Sequence, residues 1–240
     1  MASIPIQLTA HDDCRLDWII ICIKAYHYEN AIPRIKRLIN PNTKIAVFRN
    51  GLNLTSDFIG FSDRKNILET IIDCPTQKNG QAGYIQFNKP QITIPRSSLA
   101  LDFINLFGTS EIEINPKKKF KKLQWEKLIE SSSLGAIQAF TGQPCSVFKD
   151  KNVLVEYTKL ITEAINVAQS EGIKIKNNFT DSLLNKIKTY PPAKGSTMLT
   201  DKLAGNKLEL EAKIGAILKT GLNNNIKTPT TQRIYNSLLT

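Results

Sequence analysis

The sequence predicts an α/β part followed by an all-α part, and three observations carry that reading. Residues 18–23 (WIIICI) and 44–48 (KIAVF) are continuous β-branched apolar runs with a helical stretch between them, the strand, helix, strand order of a parallel sheet. From residue 123 onward apolar residues recur at three- and four-residue spacing, which is helical periodicity. Between the two patterns stand Pro116 and the basic run 117–122 (KKKFKK), so the domains are expected at 1–117 and 118–240.

In the first part, residues 18–23 read as a strand buried on both faces, with Lys24 at its carboxyl end. Ligands of open α/β sheets bind beyond such ends, so Lys24 is either a strand terminator or a ligand contact. Residues 30–39 form a short helix with Ile32, Ile35, Leu38 and Ile39 on one face and Pro33 in its first turn. The second strand ends in Arg49-Asn50-Gly51. Asn-Gly gives a tight exit, which leads into a further helix and places Asn50 at the same sheet edge as Lys24. Residues 67–72, 84–87 and 91–94 read as strands, 75–83 as a turn-rich stretch, 100–107 as a helix and 111–114 as a last strand.

In the second part, residues 123–142 (LQWEKLIESSSLGAIQAFTG) read as a helix whose buried stripe is Trp125, Leu128, Ile129, Ala136, Ile137 and Phe140. Lys127 lies off that stripe, with Ser131 one turn and Gly135 two turns further on. This strip of one ammonium, one hydroxyl and bare backbone can line a cleft; equally, Lys127 can be a solvated lysine beside Glu130. A second stripe, from Val153 to Ala168, is closed by Gly172 as a C-cap. Residues 179–187 follow, stopped by Pro191-Pro192, and then 199–203, interrupted at Gly205. Asn206 reads as an N-cap with Glu209 at N3, which lets Glu209 close a capping box or pair with Lys213. The stripe of Leu210, Ile214, Ile217 and Leu218 runs to Gly221, and Pro229 opens the last helix at N1.

Composition removes several function classes. Cys14, Cys22, Cys74 and Cys145 have neither zinc-site spacing nor the density of a disulfide scaffold, and His11 and His27 are the only histidines. No metal site is expected, and a reducing cytoplasm fits. The start of the chain lacks a secretory pattern and the run 18–23 is too short to cross a bilayer, so no membrane partner is expected. The net charge of +11 allows a polyanionic partner. It is spread along the chain, though, and the run 117–122 reads as a solvated junction, so no nucleic-acid partner is expected.

Several segments taken together carry a family resemblance: Ile21-Cys22-Ile23-Lys24-Ala25, Asn50-Gly51-Leu52, Trp125-Glu126-Lys127-Leu128, residues 163–172 (EAINVAQSEG), residues 196–201 (STMLTD), Glu209-Leu210-Glu211-Ala212 and Lys227-Thr228-Pro229. In this order and spacing they resemble the ketopantoate reductase family, the 2-dehydropantoate 2-reductases of pantothenate biosynthesis. The resemblance implies a Rossmann-type domain followed by a helical C-terminal domain, the 6-phosphogluconate-dehydrogenase-like arrangement, and an NADPH-dependent reduction of a small 2-oxo acid. By that similarity Lys127 matches the general acid. Asn50, Ser131, Thr197 and Glu209 fall at substrate-side positions, and Lys24, Asn50 and Glu209 at cofactor-side positions.

Two departures from the family accompany the match. None of the 12 glycines forms G-x-G, and the chain starts where the family has completed its first βαβ unit, so an N-terminally truncated Rossmann-type domain is expected. That missing unit is the part that holds the pyrophosphate. The family also places asparagines on the strip after the lysine, where Ser131 and Gly135 stand, and Lys194 replaces another. A homodimer is expected from the edge strand such a truncation exposes. The alternative reading is a non-catalytic remnant whose helical domain is a self-association module.

Overall fold

The computed structural model describes residues 16–79, 83–86, 88–108 and 110–239; His11, Cys14 and the rest of residues 1–15 lie outside them. The chain divides into two units, Met1–Arg49 with Asn53–Phe120, and Asn50–Leu52 with Lys121–Thr240.

The first unit is built on a parallel sheet of β1 (Trp18–Ile21), β2 (Lys44–Val47) and β3 (Ile67–Glu69) in that order, with α1 (Tyr28–Leu38) connecting β1 to β2. Side chains alternate across β2 as strand geometry requires. Ile45 and Val47 enter one core with Tyr28, Ile35, Leu54 and Phe58, while Ala46 enters another with Leu68, Ile92, Ile94 and Phe103. β1 is shorter than expected and is not buried on both faces. It is one of the two outer strands of this sheet among the described residues, and Ile20 is 43% exposed.

The expected helix after Asn50-Gly51 is replaced by a run of turns over residues 51–62. Leu54 and Phe58, both fully buried, fill the sheet face there in place of a helix. α1 starts earlier than expected because Tyr28 is drawn inward: its ring packs on Phe58 at 5.1 Å and its hydroxyl donates to the Asp57 carbonyl at 3.1 Å. Pro33 therefore lies inside the helix rather than in its first turn.

The strand expected at 67–72 is two strands. Thr70, buried, donates its hydroxyl to the Val47 carbonyl at 2.8 Å. The chain leaves β3 there, and β4 (Ile71–Asp73) pairs antiparallel with β7 (Gln91–Pro95) in a second sheet of order β4-β7-β8. The stretch expected as turns contains β5 (Thr76–Asn79), which pairs with β6 (Gly83–Gln86). α2 (Ser98–Phe107), capped by the Ser97 hydroxyl accepting from Ala100 N, crosses over to β8 (Glu113–Lys117), parallel to β7. Pro116 is accommodated because β8 is an outer strand of that sheet.

The second unit is helical: α3 (Phe120–Thr141), α4 (Lys151–Ser170), α5 (Phe179–Lys188), α6 (Thr197–Leu203), a π-helical turn (Glu211–Gly215) continuing into α7 (Ala216–Asn223), and α8 (Pro229–Leu238). One core unites them, with Ile129 and Ile137 of α3, Tyr157, Ile161 and Ala164 of α4, Met198 of α6, Ile214 and Ile234. α3 is surrounded rather than half-buried. Ser132, Ser133 and Gln138, outside the expected stripe, are buried, whereas Phe140, expected within it, is 40% exposed with the Arg233 guanidinium 5.6 Å over its ring. Among the described residues no helix is long and apolar enough to cross a membrane.

Candidate active site

Lys24 and Asn50 each follow by three residues a pair in register, Ile21 and Val47, of the parallel strands β1 and β2. Lys24, half-buried, starts the single 3-10 turn Ala25–His27, its carbonyl accepting from His27 N at 3.0 Å. Asn50 is exposed and followed by Gly51 at φ 117°, a conformation that only glycine adopts without strain. Asn50–Leu52 counts with the second unit, where Leu52 packs on the helical core.

In the second unit Lys127 is half-buried on α3. The Glu130 carboxylate accepts from Lys186 Nζ at 2.5 Å and from the Tyr190 hydroxyl at 3.4 Å. Burial and the adjoining Glu130 charge together raise the Tyr190 pKa above its ordinary value. Ser131, also half-buried, lies one turn past Lys127, its hydroxyl near the Leu128 carbonyl at 3.5 Å.

Gly135, two turns past Lys127, is where α3 meets α6. A Cβ built there would stand 2.9 Å from Met198 Sδ, so any side chain at this position has to displace the Met198 side chain. Met198 follows Thr197, the first residue of α6, which the Ser196 hydroxyl caps by accepting from Leu199 N at 3.2 Å. Gly135→Leu is expected to push α6 and Thr197 off α3 and to destabilise the protein by about 1–3 kcal/mol. Urea denaturation measures this; an unchanged midpoint would show that the close approach is not required.

Glu209 is not in a capping box. Gly205, at φ 68°, ends α6, and Asn206 N donates back to the Asp201 carbonyl at 2.8 Å. Asn206 thus closes the preceding helix instead of opening the next, as a C-terminal glycine motif does. The next helical turn begins after Leu210, leaving Glu209 in the irregular segment before it, 6% exposed.

Lys213, four residues on, is 3% exposed and its Nζ donates to Thr197 Oγ1 at 3.4 Å. Its importance is not evident from charge alone. The available signal is spacing, because Lys213 stands three residues after Leu210 and beside Ile214, on the buried face of its helix. The contacts thus join Thr197 to Lys213 and, through Met198 and Gly135, to the strip that carries Ser131 and Lys127. Lys24 belongs to the other unit.

Among the described residues no group of three His, Cys, Asp or Glu side chains could hold a metal ion, and Cys22, Cys74 and Cys145 are free thiols. Cys145 is inert by environment. Burial raises its pKa, outweighing the lowering effects of Lys194 and of the Gln138 amide that donates to Sγ at 3.3 Å.

Comparison with known proteins gives consistent results. The family described as ketopantoate reductase PanE/ApbA matches residues 2–98, and its C-terminal counterpart matches residues 119–239. A 2-dehydropantoate 2-reductase of Caulobacter vibrioides is 24% identical over 214 residues, covering 89% of this chain and 73% of the relative. One of Mycobacterium tuberculosis is 22% identical over the same length, covering 72% of that protein. Among solved structures, a dimeric ketopantoate reductase from Staphylococcus aureus is similar at TM-score 0.85 and 25% identity, covering 93% of this chain and 76% of that one. A D-mandelate dehydrogenase holding NADH and anilino(oxo)acetate has the same fold, at TM-score 0.84 and 15% identity, over 96% of this chain and 77% of that one. With both family matches together spanning most of its length and its helical unit matched almost throughout, the chain belongs to the ketopantoate reductase family.

Proposed function

We propose that the chain is an NADPH-dependent reductase of a small 2-oxo acid, of the 2-dehydropantoate 2-reductase kind, with Lys127 as its general acid. The observation that supports this most is Lys127 itself. It is half-buried on α3, off the apolar stripe and one turn before the half-buried Ser131. Reduction of a ketone puts negative charge on the carbonyl oxygen. An ammonium group stabilises that charge and donates the proton the alkoxide needs, and alkylammonium groups are protonated at neutral pH.

Ser131, Thr197, Asn50 and Glu209 are the proposed substrate contacts. Ser131 and Thr197 supply hydroxyl donors, and Glu209 a buried acceptor for a substrate hydroxyl. Lys24, three residues past β1, supplies an ammonium donor for a dinucleotide phosphate, and Asn50, three residues past β2, supplies an amide. Lys24, Asn50 and Glu209 would hold the cofactor, which supplies the hydride when bound. Lys127 holds the proton delivered to the carbonyl oxygen, and the strip behind it orients the acid.

A homodimer belongs to the same reading. Leu203 and Leu222 are 70% and 78% exposed in the second unit, and the Staphylococcus aureus relative is dimeric. The test is a fluorescence titration with NADPH followed by an assay of 2-dehydropantoate reduction. Saturable binding with turnover is expected, and no binding at millimolar NADPH would remove the enzyme reading in favour of a self-associating helical module.

A further inference from the structure

Residues 50–56 form an excursion from the first unit whose two ends are tied together by charge. Arg49 Nη2 donates to the Asp57 carboxylate at 2.6 Å, and the two side chains are only 12% and 28% exposed. The guanidinium also lies 5.6 Å over the Tyr28 ring, while the Tyr28 hydroxyl donates to the Asp57 carbonyl at 3.1 Å. One aromatic residue of α1 thus braces both members of the ion pair. Burial and the Asp57 charge raise the Tyr28 pKa above its ordinary value, outweighing the lowering effect of Arg49, so the hydroxyl stays a donor. Exposed ion pairs hold little. This one is mostly out of solvent and has a ring against its cation.

The far end of the excursion is fixed as well. Thr55, buried, donates its backbone N–H to the carboxylate of Glu69, the last residue of β3, at 3.1 Å, and Ser56 N donates to the Asn53 carbonyl at 3.0 Å. Leu54 and Phe58 are sunk in the core. Between these anchors stand two residues with positive φ, Gly51 at 117° and Asn53 at 50°. A residue other than glycine keeps such a backbone only where its surroundings over-determine it. Asn50, exposed, opens this stretch directly after Arg49. The direction of its amide therefore depends on the conformation that the neck of the excursion imposes.

We propose that Arg49, locked to Asp57 and Tyr28, is a positioning residue: it fixes the turn that presents the Asn50 amide, and through Asn50 it sets the affinity for the dinucleotide. This rests on the reductase reading above, which assigns Asn50 to the cofactor.

The test is a double-mutant cycle read by fluorescence titration with NADPH, with urea denaturation of each protein alongside. Arg49→Met is expected to weaken NADPH binding by about 10-fold, and Arg49→Lys to recover only part of it, since lysine keeps the charge but not the planar fork. In the Asn50→Ala background, Arg49→Met is expected to change NADPH affinity by less than about 2-fold, while it lowers the urea midpoint equally in both backgrounds. A residue that only stabilises the unit would weaken binding to the same extent with or without Asn50. That outcome, or wild-type affinity in Arg49→Met, overturns the proposal.

Should Arg49→Met fail to fold, Asp57→Asn, which removes the charge and keeps the shape, takes its place in the cycle with the same expectations. A wild-type protein that binds no NADPH at millimolar concentration removes the reductase reading and this proposal together. Binding by the wild-type protein with an additive cycle removes this proposal alone.

Discussion

Lys127→Ala is expected to lower 2-oxo acid turnover by roughly 10²–10⁴-fold, the usual contribution of a general acid, while leaving NADPH affinity within a few-fold. The two readouts differ because Lys127 is assigned to the carbonyl oxygen and not to the dinucleotide. Lys127→Arg sharpens the test. Arginine keeps the positive charge but does not give up its proton, and its planar fork does not reproduce a point ammonium, so the variant should recover only a small part of the lost rate. Wild-type turnover in Lys127→Ala would show that another residue supplies the proton.

Glu163→Ala is expected to destabilise the protein by about 3 kcal/mol, because it leaves three buried donors without an acceptor. Glu163 is 9% exposed on α4, and its carboxylate accepts from Thr230 N and Thr231 N, both at 2.8 Å, and from the Thr231 hydroxyl at 2.7 Å. These are the first backbone donors of α8 after Pro229, which has none, and the Thr228 side chain provides no cap. A carboxylate from a distant helix thus replaces the local N-cap and sits at the positive end of the helix dipole. Glu163→Gln, which keeps one acceptor oxygen, should cost about half as much. Equilibrium denaturation with urea measures both. A loss below about 0.5 kcal/mol for the alanine variant, the range of ordinary surface substitutions, would mean that α8 is held without Glu163.

The elements most legible in the sequence are those fixed by local periodicity. Two β-branched runs around one helix gave β1, α1 and β2, and the spacing of Val153, Tyr157, Leu160 and Ala164 gave α4. What was not legible depends on partners distant in sequence. Residues 67–72 are uniformly strand-like, and the break at Thr70 follows from a hydrogen bond to Val47 in another strand. Residues 51–62 bury Leu54 and Phe58 at a four-residue, helix-like spacing and yet form turns, so local spacing misleads about how this stretch covers the sheet.

The capping box proposed for Asn206 and Glu209 is a sound local pattern. It lost to Gly205, which uses the Asn206 amide to finish α6. At the candidate site, resemblance singled out Lys127, Thr197 and Glu209, and the helical unit holds them half-buried or buried except for Thr197, whose role rests on its hydroxyl contact with Lys213. Glu163 and Lys213 share one overlooked signal. Each is a charged residue three places after a buried leucine on the apolar face of a helix, Leu160 and Leu210 respectively, where a charge persists only if the fold or the chemistry uses it.

The central claim is that this chain transfers hydride from NADPH to the carbonyl of a 2-oxo acid. Its most direct measurement is mass spectrometry of the product formed from a panel of 2-oxo acids, including 2-dehydropantoate and 2-oxoglutarate, with NADPH deuterated at both C4 positions. The predicted result is a 2-hydroxy acid carrying one deuterium at C2, formed by the wild-type protein and strongly reduced in Lys127→Ala. No deuterated hydroxy acid from any member of the panel, at millimolar cofactor and with the protein folded, would contradict the account.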